Sequence, residues 1–265
     1  MAVTLGASCP TAPLPYCPAP MSAAPATFER VFIDVGAHNG GSIAQVIEGG
    51  YAFDRMVSVE PDPEMIAKLE ARYAKEIAEG RFQIAPVGLS DHIGTAQLLG
   101  DNTEGGASMI AGKFGGSTGN VREIKLIDWA TFLADYNLRD ARLWVKINAE
   151  GAEIAILDSI LAEGGKNIES LVIFFDIVKS PFGAWKKWRV MRDLAHAGIP
   201  YILAENILIK HGPRRRLHNW LSSFAALKTP PVPADPPPLS KLVRMHYLDA
   251  CSAVGLRLTL FKRRA

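Results

Sequence analysis

Two acids early in the chain have the types and the order that recognition of a small polar ligand needs. Asp34 and Gly36 lie in "VFIDVGAHNGG", Val31 to Gly41, and Glu60 closes "MVSVE". An apolar run that ends in Asp-x-Gly reads as a buried strand entering a tight turn. In parallel sheets, ligands are met at such strand ends. Asp34 can receive an ammonium there, directly or through water. Glu60, at the next strand end, can accept from both hydroxyls of a ribose. His38, His92, Glu150 and Asp176 have the chemistry of a base near a reacting hydroxyl.

The loop after Asp34 narrows the ligand. Gly36 and Gly41 match the outer glycines of the dinucleotide fingerprint G-x-G-x-x-G, but His38 takes the middle place. That middle glycine lets the backbone approach a pyrophosphate, and a histidine side chain obstructs it. NAD and FAD are therefore disfavoured. S-adenosyl-L-methionine has no phosphate. Its ammonium suits Asp34, its carboxylate suits helix N-terminal N–H groups near Gly40 and Gly41, and its ribose suits Glu60. The candidate cofactor residues are Asp34, Gly36, Ala37, His38, Gly40, Glu60, Pro61, Ser90 and Asp91.

These residues need a scaffold that aligns strand ends. Val31–Val35, Met56–Val59 and Phe82–Val87 read as short buried strands, with helices at Ser42–Glu48 and from Pro63 through Ile77 between them. This β-α-β-α-β order predicts a Rossmann-like α/β fold with a mostly parallel, doubly wound sheet. Thr95–Leu99 and Val121–Ile127 read as strands around the glycine-rich "GDNTEGGASMIAGKFGGSTGN", which contains Ser108 and suits a mobile lid. Asp128 caps a helix to about Tyr136. Core strands follow at Leu143–Ile147 and Leu171–Phe175, the second closed by Asp176. Helices are expected at Glu153–Leu161 and Pro181–Ala197. Tyr201–Ala204 and Ile207–Ile209 read as a closing antiparallel hairpin.

In order along the chain, "FIDVGAHNG", "VSVEPDPEMIAKLE", "VGLSD" and "VKINAEGAEIAIL" resemble the FkbM-type methyltransferase family, over about Val31 to Lys210. The resemblance implies a class I methyltransferase fold, S-adenosylmethionine as cofactor, and O-methylation of a hydroxyl on a glycan or small-molecule metabolite. The family pattern at the last motif is Lys-Ile-Asp-x-Glu-Gly-x-Glu. Here Lys146, Ile147, Glu150, Gly151 and Glu153 match, and Asn148 replaces the aspartate. An amide hydrogen-bonds but takes no proton and holds a cation poorly. If that aspartate is a base, the enzyme is altered or inactive; if it only positions a ligand, asparagine suffices. Asp176, His38 and Asn148 are the candidate catalytic residues. Lys146, in an apolar strand, needs a neighbouring carboxylate. Ser90-Asp91 fits either an adenine contact or a plain turn, and His38 either chemistry or a helix cap. Trp185 and Trp188 beside Lys186 and Lys187 fit an aromatic sugar platform or an amphipathic helix with tryptophans inward.

With 265 residues the chain can bury one sizeable core, and a net charge of +2 gives no general case for nucleic acid. Three scattered cysteines, Cys9, Cys17 and Cys251, form no disulfide framework or zinc spacing, and the six histidines show no metal-ligand spacing. A reducing cytoplasm is the simplest setting. No apolar run reaches the about 18 residues that span a bilayer. Residues 1–27, Pro- and Ala-rich without Lys or Arg, read as a flexible leader, with Met21 a second candidate start. Residues 28–210 form the expected methyltransferase domain. Residues 211–265 form a C-terminal extension with the Pro-rich linker Thr229–Pro238 and a helix at Leu239–Ala250. Arg214–Arg216, followed by Trp220, Leu221 and Phe224, fits either packing on the core or weak contact with an anionic surface.

Overall fold

The computed structural model describes residues 28–99, 121–149, 151–176, 182–204, 217–221, 229 and 231–238. The leader 1–27, the loop 100–120 with Ser108, Glu150, Pro181, the hairpin residues 205–210, the cluster Arg214–Arg216, Phe224 and the helix expected at 239–250 lie outside the described residues.

Six strands make one sheet in the order β3-β2-β1-β7-β8-β9, and every neighbouring pair is parallel. The strands are β1 (Arg30–Val35), β2 (Arg55–Val59), β3 (Phe82–Ala85), β7 (Arg142–Ile147), β8 (Ile168–Ile173) and β9 (Tyr201–Leu203). Helices α1 (Gly41–Glu48), α2 (Pro63–Arg72), α3 (Ala74–Ala78), α4 (Trp129–Asp135), α5 (Glu153–Ala162) and α6 (Gly183–His196) connect them. This is the α/β, Rossmann-like arrangement that the strand–helix alternation predicts. Alternate residues of each strand enter two apolar layers. Val31, Ile33 and Val35 face the layer holding Trp129, Phe132 and Leu157, while Phe32 faces the layer holding Ile43, Leu69 and Trp144. Burial on both faces is why these strands are nearly uniformly apolar. Tyr201–Leu203 joins parallel to β8. Its expected hairpin partner at 207–209 lies outside the described residues.

A smaller sheet, β4-β6-β5, is formed by β4 (Gly88–Leu89), β5 (Gly94–Leu98) and β6 (Arg122–Ile127), with β5 and β6 antiparallel. The third expected strand, Phe82–Val87, thus ends at Ala85, and the chain re-pairs as β4 with β6. The single helix expected from Pro63 through Ile77 is two. Tyr73, at φ −114° and ψ 25°, ends α2 and starts α3. Its ring is buried and its hydroxyl donates to the Gly40 carbonyl at 2.6 Å, so a distant contact interrupts the helical pattern. Ile77, placed on the apolar face by spacing, is 37% exposed as a result.

Residues 217–221 are helical and cover the second layer. Trp220 is fully buried against Phe32, and its Nε1 donates to Ser170 Oγ at 2.8 Å. Tyr51 and His218 hydrogen-bond beside it. The proline arm lies along α6, where Trp188 Nε1 donates to the Pro233 carbonyl at 2.8 Å and Val232 packs on the core. Trp188 therefore holds the arm, Lys187 lies over the Phe175 ring, and Trp185 stays 40% exposed, so α6 does not simply turn its tryptophans inward. No described helix is long and apolar enough to cross a membrane.

Candidate active site

The parallel register brings the candidate residues to one edge. Ala85, Val59, Val35, Ile147, Ile173 and Leu203 stand level across the six strands. One residue further come Glu60, Gly36, Asn148 and Phe174. Each extends the ladder by one backbone bond: Glu60 N–H to Ala85, Gly36 N–H to Val59, Asn148 N–H to Val35 and Phe174 N–H to Ile147. Asp34, Gly36, Ala37, His38, Gly40, Glu60, Pro61 and Asn148 are thereby brought together, with Asp176 just past the end of β8.

Glu60 is 7% exposed. One carboxylate oxygen accepts from the His38 N–H at 2.7 Å and the other from the Asp62 N–H at 3.0 Å. Each oxygen keeps a lone pair for a further donor. Burial is the main influence on its acidity, and the two backbone donors only partly offset it. The carboxyl is pushed up to about 7, with Asp62 and Asp34 adding to the rise.

Asp34 is fully buried, and Oδ1 accepts from Lys146 Nζ at 2.7 Å. The carboxylate that Lys146 needs is thus its own cross-strand register partner. Oδ2 is enclosed, with no hydrogen-bond partner among the described residues. Gly36 adopts φ 74°, and a β-carbon on it would stand 1.9 Å from the Asn148 carbonyl oxygen, so it passes close to the neighbouring strand end.

The rest of the loop is tied down from α2. Arg72 donates to the Asn39 carbonyl at 2.9 Å and Tyr73 to the Gly40 carbonyl at 2.6 Å. Gly40, at φ 79°, is the N-cap of α1 and provides no side-chain cap. The first N–H groups of α1 therefore face the edge with no side-chain acceptor from the cap, as a carboxylate site requires. His38 is not that cap. It sits at φ 51°, uncommon for a residue with a side chain, and its Nε2 is buried with no partner among the described residues.

Ser90 and Asp91 sit apart from the main strand ends. Ser90 N–H donates to Ile127 of the smaller sheet at 2.9 Å, and Asp91 Oδ1 meets Ser90 Oγ at 3.1 Å and His92 Nδ1 at 2.7 Å. The His92 bond is the main reason the Asp91 carboxyl lies below its usual range. This is a tied turn beside the edge. Glu153 is likewise structural: fully buried, its Oε1 accepts from the Ala149 and Gly151 N–H groups at 3.2 and 3.0 Å. Asn148 is half-buried, and its side chain makes no hydrogen bond among the described residues. Asp176 is half-buried and partnered.

Arg122, Asp62 and Tyr73 carry no expected site role in the sequence, yet all three brace the site. Asp-Pro opening a helix does announce Asp62 as an N-cap. Nothing local announces Arg122, whose partner is the N-cap of α2, 60 residues earlier. Among the described residues no three of His, Cys, Asp and Glu gather as a metal site.

The pattern of the methyltransferase FkbM domain matches residues 34–198, more than half of the chain, and spans every strand end described above except β9. This chain belongs to the FkbM methyltransferase domain family. A crystal structure of methyltransferase FkbM from Methylobacillus flagellatus KT is similar at 17% identity and a TM-score of 0.35, over 52% of this chain and 31% of that one. The chain thus spans about a third of the length of that solved structure. No curated protein matches it.

Proposed function

We propose that this chain is an S-adenosylmethionine-dependent O-methyltransferase acting on a hydroxyl of a glycan or small-molecule metabolite. The observation that carries the reading is Glu60, a buried carboxylate level with Gly36 at the strand ends, with both oxygens aimed by backbone donors and both able to accept again. The residues fit the cofactor. Glu60 would hold the ribose hydroxyls, the uncapped start of α1 the carboxylate, and Asp34 the ammonium, directly or through water. Gly36, Ala37, His38, Gly40 and Pro61 would shape the cradle, with Ser90 and Asp91 at its rim.

When bound, the cofactor supplies a methyl group on a sulfonium. The chain's residues must hold the acceptor oxygen in line with it in a dry pocket, and alignment alone can contribute several kcal/mol, up to about 10. The acceptor hydroxyl would give up its proton on receiving that methyl, so the site needs a base. His38 Nε2, buried on the loop without a partner among the described residues, and Asp176 at the edge are the candidate bases. Isothermal titration with S-adenosylmethionine and its demethylated product tests the reading. Micromolar binding of either supports it, and a folded protein that binds neither refutes it.

Asn148 favours a second reading, a cofactor-binding module without turnover. It stands at the family aspartate's position on the edge, and an amide accepts no proton. This reading expects binding without methyl transfer across an acceptor panel, and activity gained in Asn148→Asp. Turnover by the unaltered chain refutes it.

A further inference from the structure

We propose that Arg122 is a positioning residue for the cofactor acid: paired with Asp62, it favours the ionised form of Glu60 and keeps its carboxylate aimed for the ribose. The inference rests on the cofactor reading above.

The geometry is a relay between two sheets. Arg122 opens β6 of the smaller sheet, and its Nη1 donates to Asp62 Oδ1 at 3.0 Å. The same oxygen accepts the Glu64 N–H at 2.9 Å, which fixes Asp62 as the N-cap of α2. The Asp62 N–H then donates to Glu60 at 3.0 Å. Asp62 is 1% exposed, so its charge is almost removed from water. A buried carboxylate raises the proton affinity of a neighbouring acid, and a cation bonded to it lessens that effect.

Charge makes the same point. Two buried acids flank Glu60, and each bonds a cation: Asp34 bonds Lys146 of β7 at 2.7 Å, and Asp62 bonds Arg122 of β6 at 3.0 Å. From the first loop, His38 faces Glu60 with its backbone N–H. Glu64, on the outer side of α2, is exposed and paired with Lys68 at 2.7 Å. Lys146 sits behind Asp34 in the middle of the sheet, whereas Arg122 reaches Asp62 from outside it. Burial already brings Glu60 up to about 7, so a small change in the field at Asp62 decides whether it is charged at neutral pH. A neutral carboxyl is the weaker acceptor for two hydroxyls.

The test measures the dissociation constant of S-adenosylhomocysteine by calorimetry from about pH 5.5 to about pH 9, for the unaltered chain, Arg122→Gln, Arg122→Lys and Asp62→Asn. The unaltered chain should bind more weakly as pH falls through the Glu60 transition. In Arg122→Gln the midpoint should move up by about one pH unit, with affinity converging on the unaltered value at high pH. Arg122→Lys should restore most of the shift. Asp62→Asn, which keeps a capping oxygen and removes the charge, should move the midpoint down, and it tests the proposal even if Arg122→Gln fails to fold. A loss by the same factor at every pH, or midpoints that do not move in opposite directions, overturns the role. Absence of binding by the unaltered chain at every pH overturns the cofactor reading instead.

Discussion

The carbonyl oxygen of Asn148 stands where a side chain on Gly36 would begin, 1.9 Å from the place of its β-carbon. The contact joins the two central strand ends, β1 and β7, at the middle of the candidate site. It also separates the two functions of position 148: the backbone packs on Gly36, while the side chain is left for the ligand edge.

Gly36→Ala should therefore fail for two reasons at once. The residue adopts φ 74°, which costs a residue with a side chain about 1–2 kcal/mol, and the collision with the backbone adds about 1–3 more. Gly80 is the control, at φ 70° with nothing within 4 Å of its β-carbon position. Gly80→Ala should lose only the conformational part. Urea denaturation of both variants checks the difference, and equal losses would show that the Asn148 contact is not tight.

The same separation makes Asn148→Asp a clean experiment. The side chain makes no hydrogen bond among the described residues, so stability should change by no more than about 0.5 kcal/mol. Any gain in methyl transfer then belongs to the chemistry of the new carboxylate, not to refolding. A large fall in melting temperature would show that the amide is structural.

Asp34 and Lys146 are register partners that exchange a buried charge–charge hydrogen bond of 2.7 Å. Lys146→Met leaves a fully buried carboxylate unpaired and should cost about 3–5 kcal/mol. The double variant Asp34→Asn with Lys146→Met should recover much of that loss, because no charge is left stranded. Chemical denaturation of the single and double variants measures the coupling, and additive losses would disprove it.

The reach of the sequence stops where partners are distant. Val31–Val35, Met56–Val59 and Leu143–Ile147 announce themselves, since a strand buried on both faces is apolar at every position. Their order gives the parallel sheet, and the sheet gives the edge on which Asp34, Glu60 and Asn148 meet. Lys146 in an apolar strand signals a hidden carboxylate without saying which one. The role of Gly36, the break of the helix at Tyr73 and the Arg122–Asp62 bridge depend on atoms far along the chain, and no local pattern encodes them. Asp34 carries a second signal that its type alone does not give: register pairs it with Lys146.

Glu60 should give the apo protein a particular pH profile. Its folded proton affinity, about 7, exceeds the ordinary 4.5, so between those values the folded state binds more protons than the unfolded state. Stability therefore falls as pH rises through that window, by about 3 kcal/mol in all, and the cost persists above it. Cofactor binding runs the other way and should strengthen as Glu60 ionises. In Glu60→Gln the stability slope over this window should flatten, whatever offset the lost backbone bond adds. Melting temperatures from about pH 4.5 to about pH 8 check this, and an unchanged slope would assign the titration to another group.

Trp220 connects the last part of the chain to the stability of the site. It is fully buried against Phe32, on the strand that carries Asp34, and Leu217 and Leu221 fill the same layer. Its Nε1 bonds the buried Ser170 hydroxyl of β8 at 2.8 Å, so its removal leaves both a cavity and an unpaired hydroxyl. Trp220→Ala should cost about 3–5 kcal/mol. Truncation after Lys210 removes Trp220 with Leu217 and Leu221 and strips cover from β7 and β8, beneath Lys146 and Asn148. The truncated chain should be insoluble or melt far below the full chain. A truncated protein that stays folded and binds cofactor, but loses association with anionic vesicles, would assign the segment to a surface instead of the core. Binding measured alongside melting separates the two outcomes, because packing predicts that both fail together.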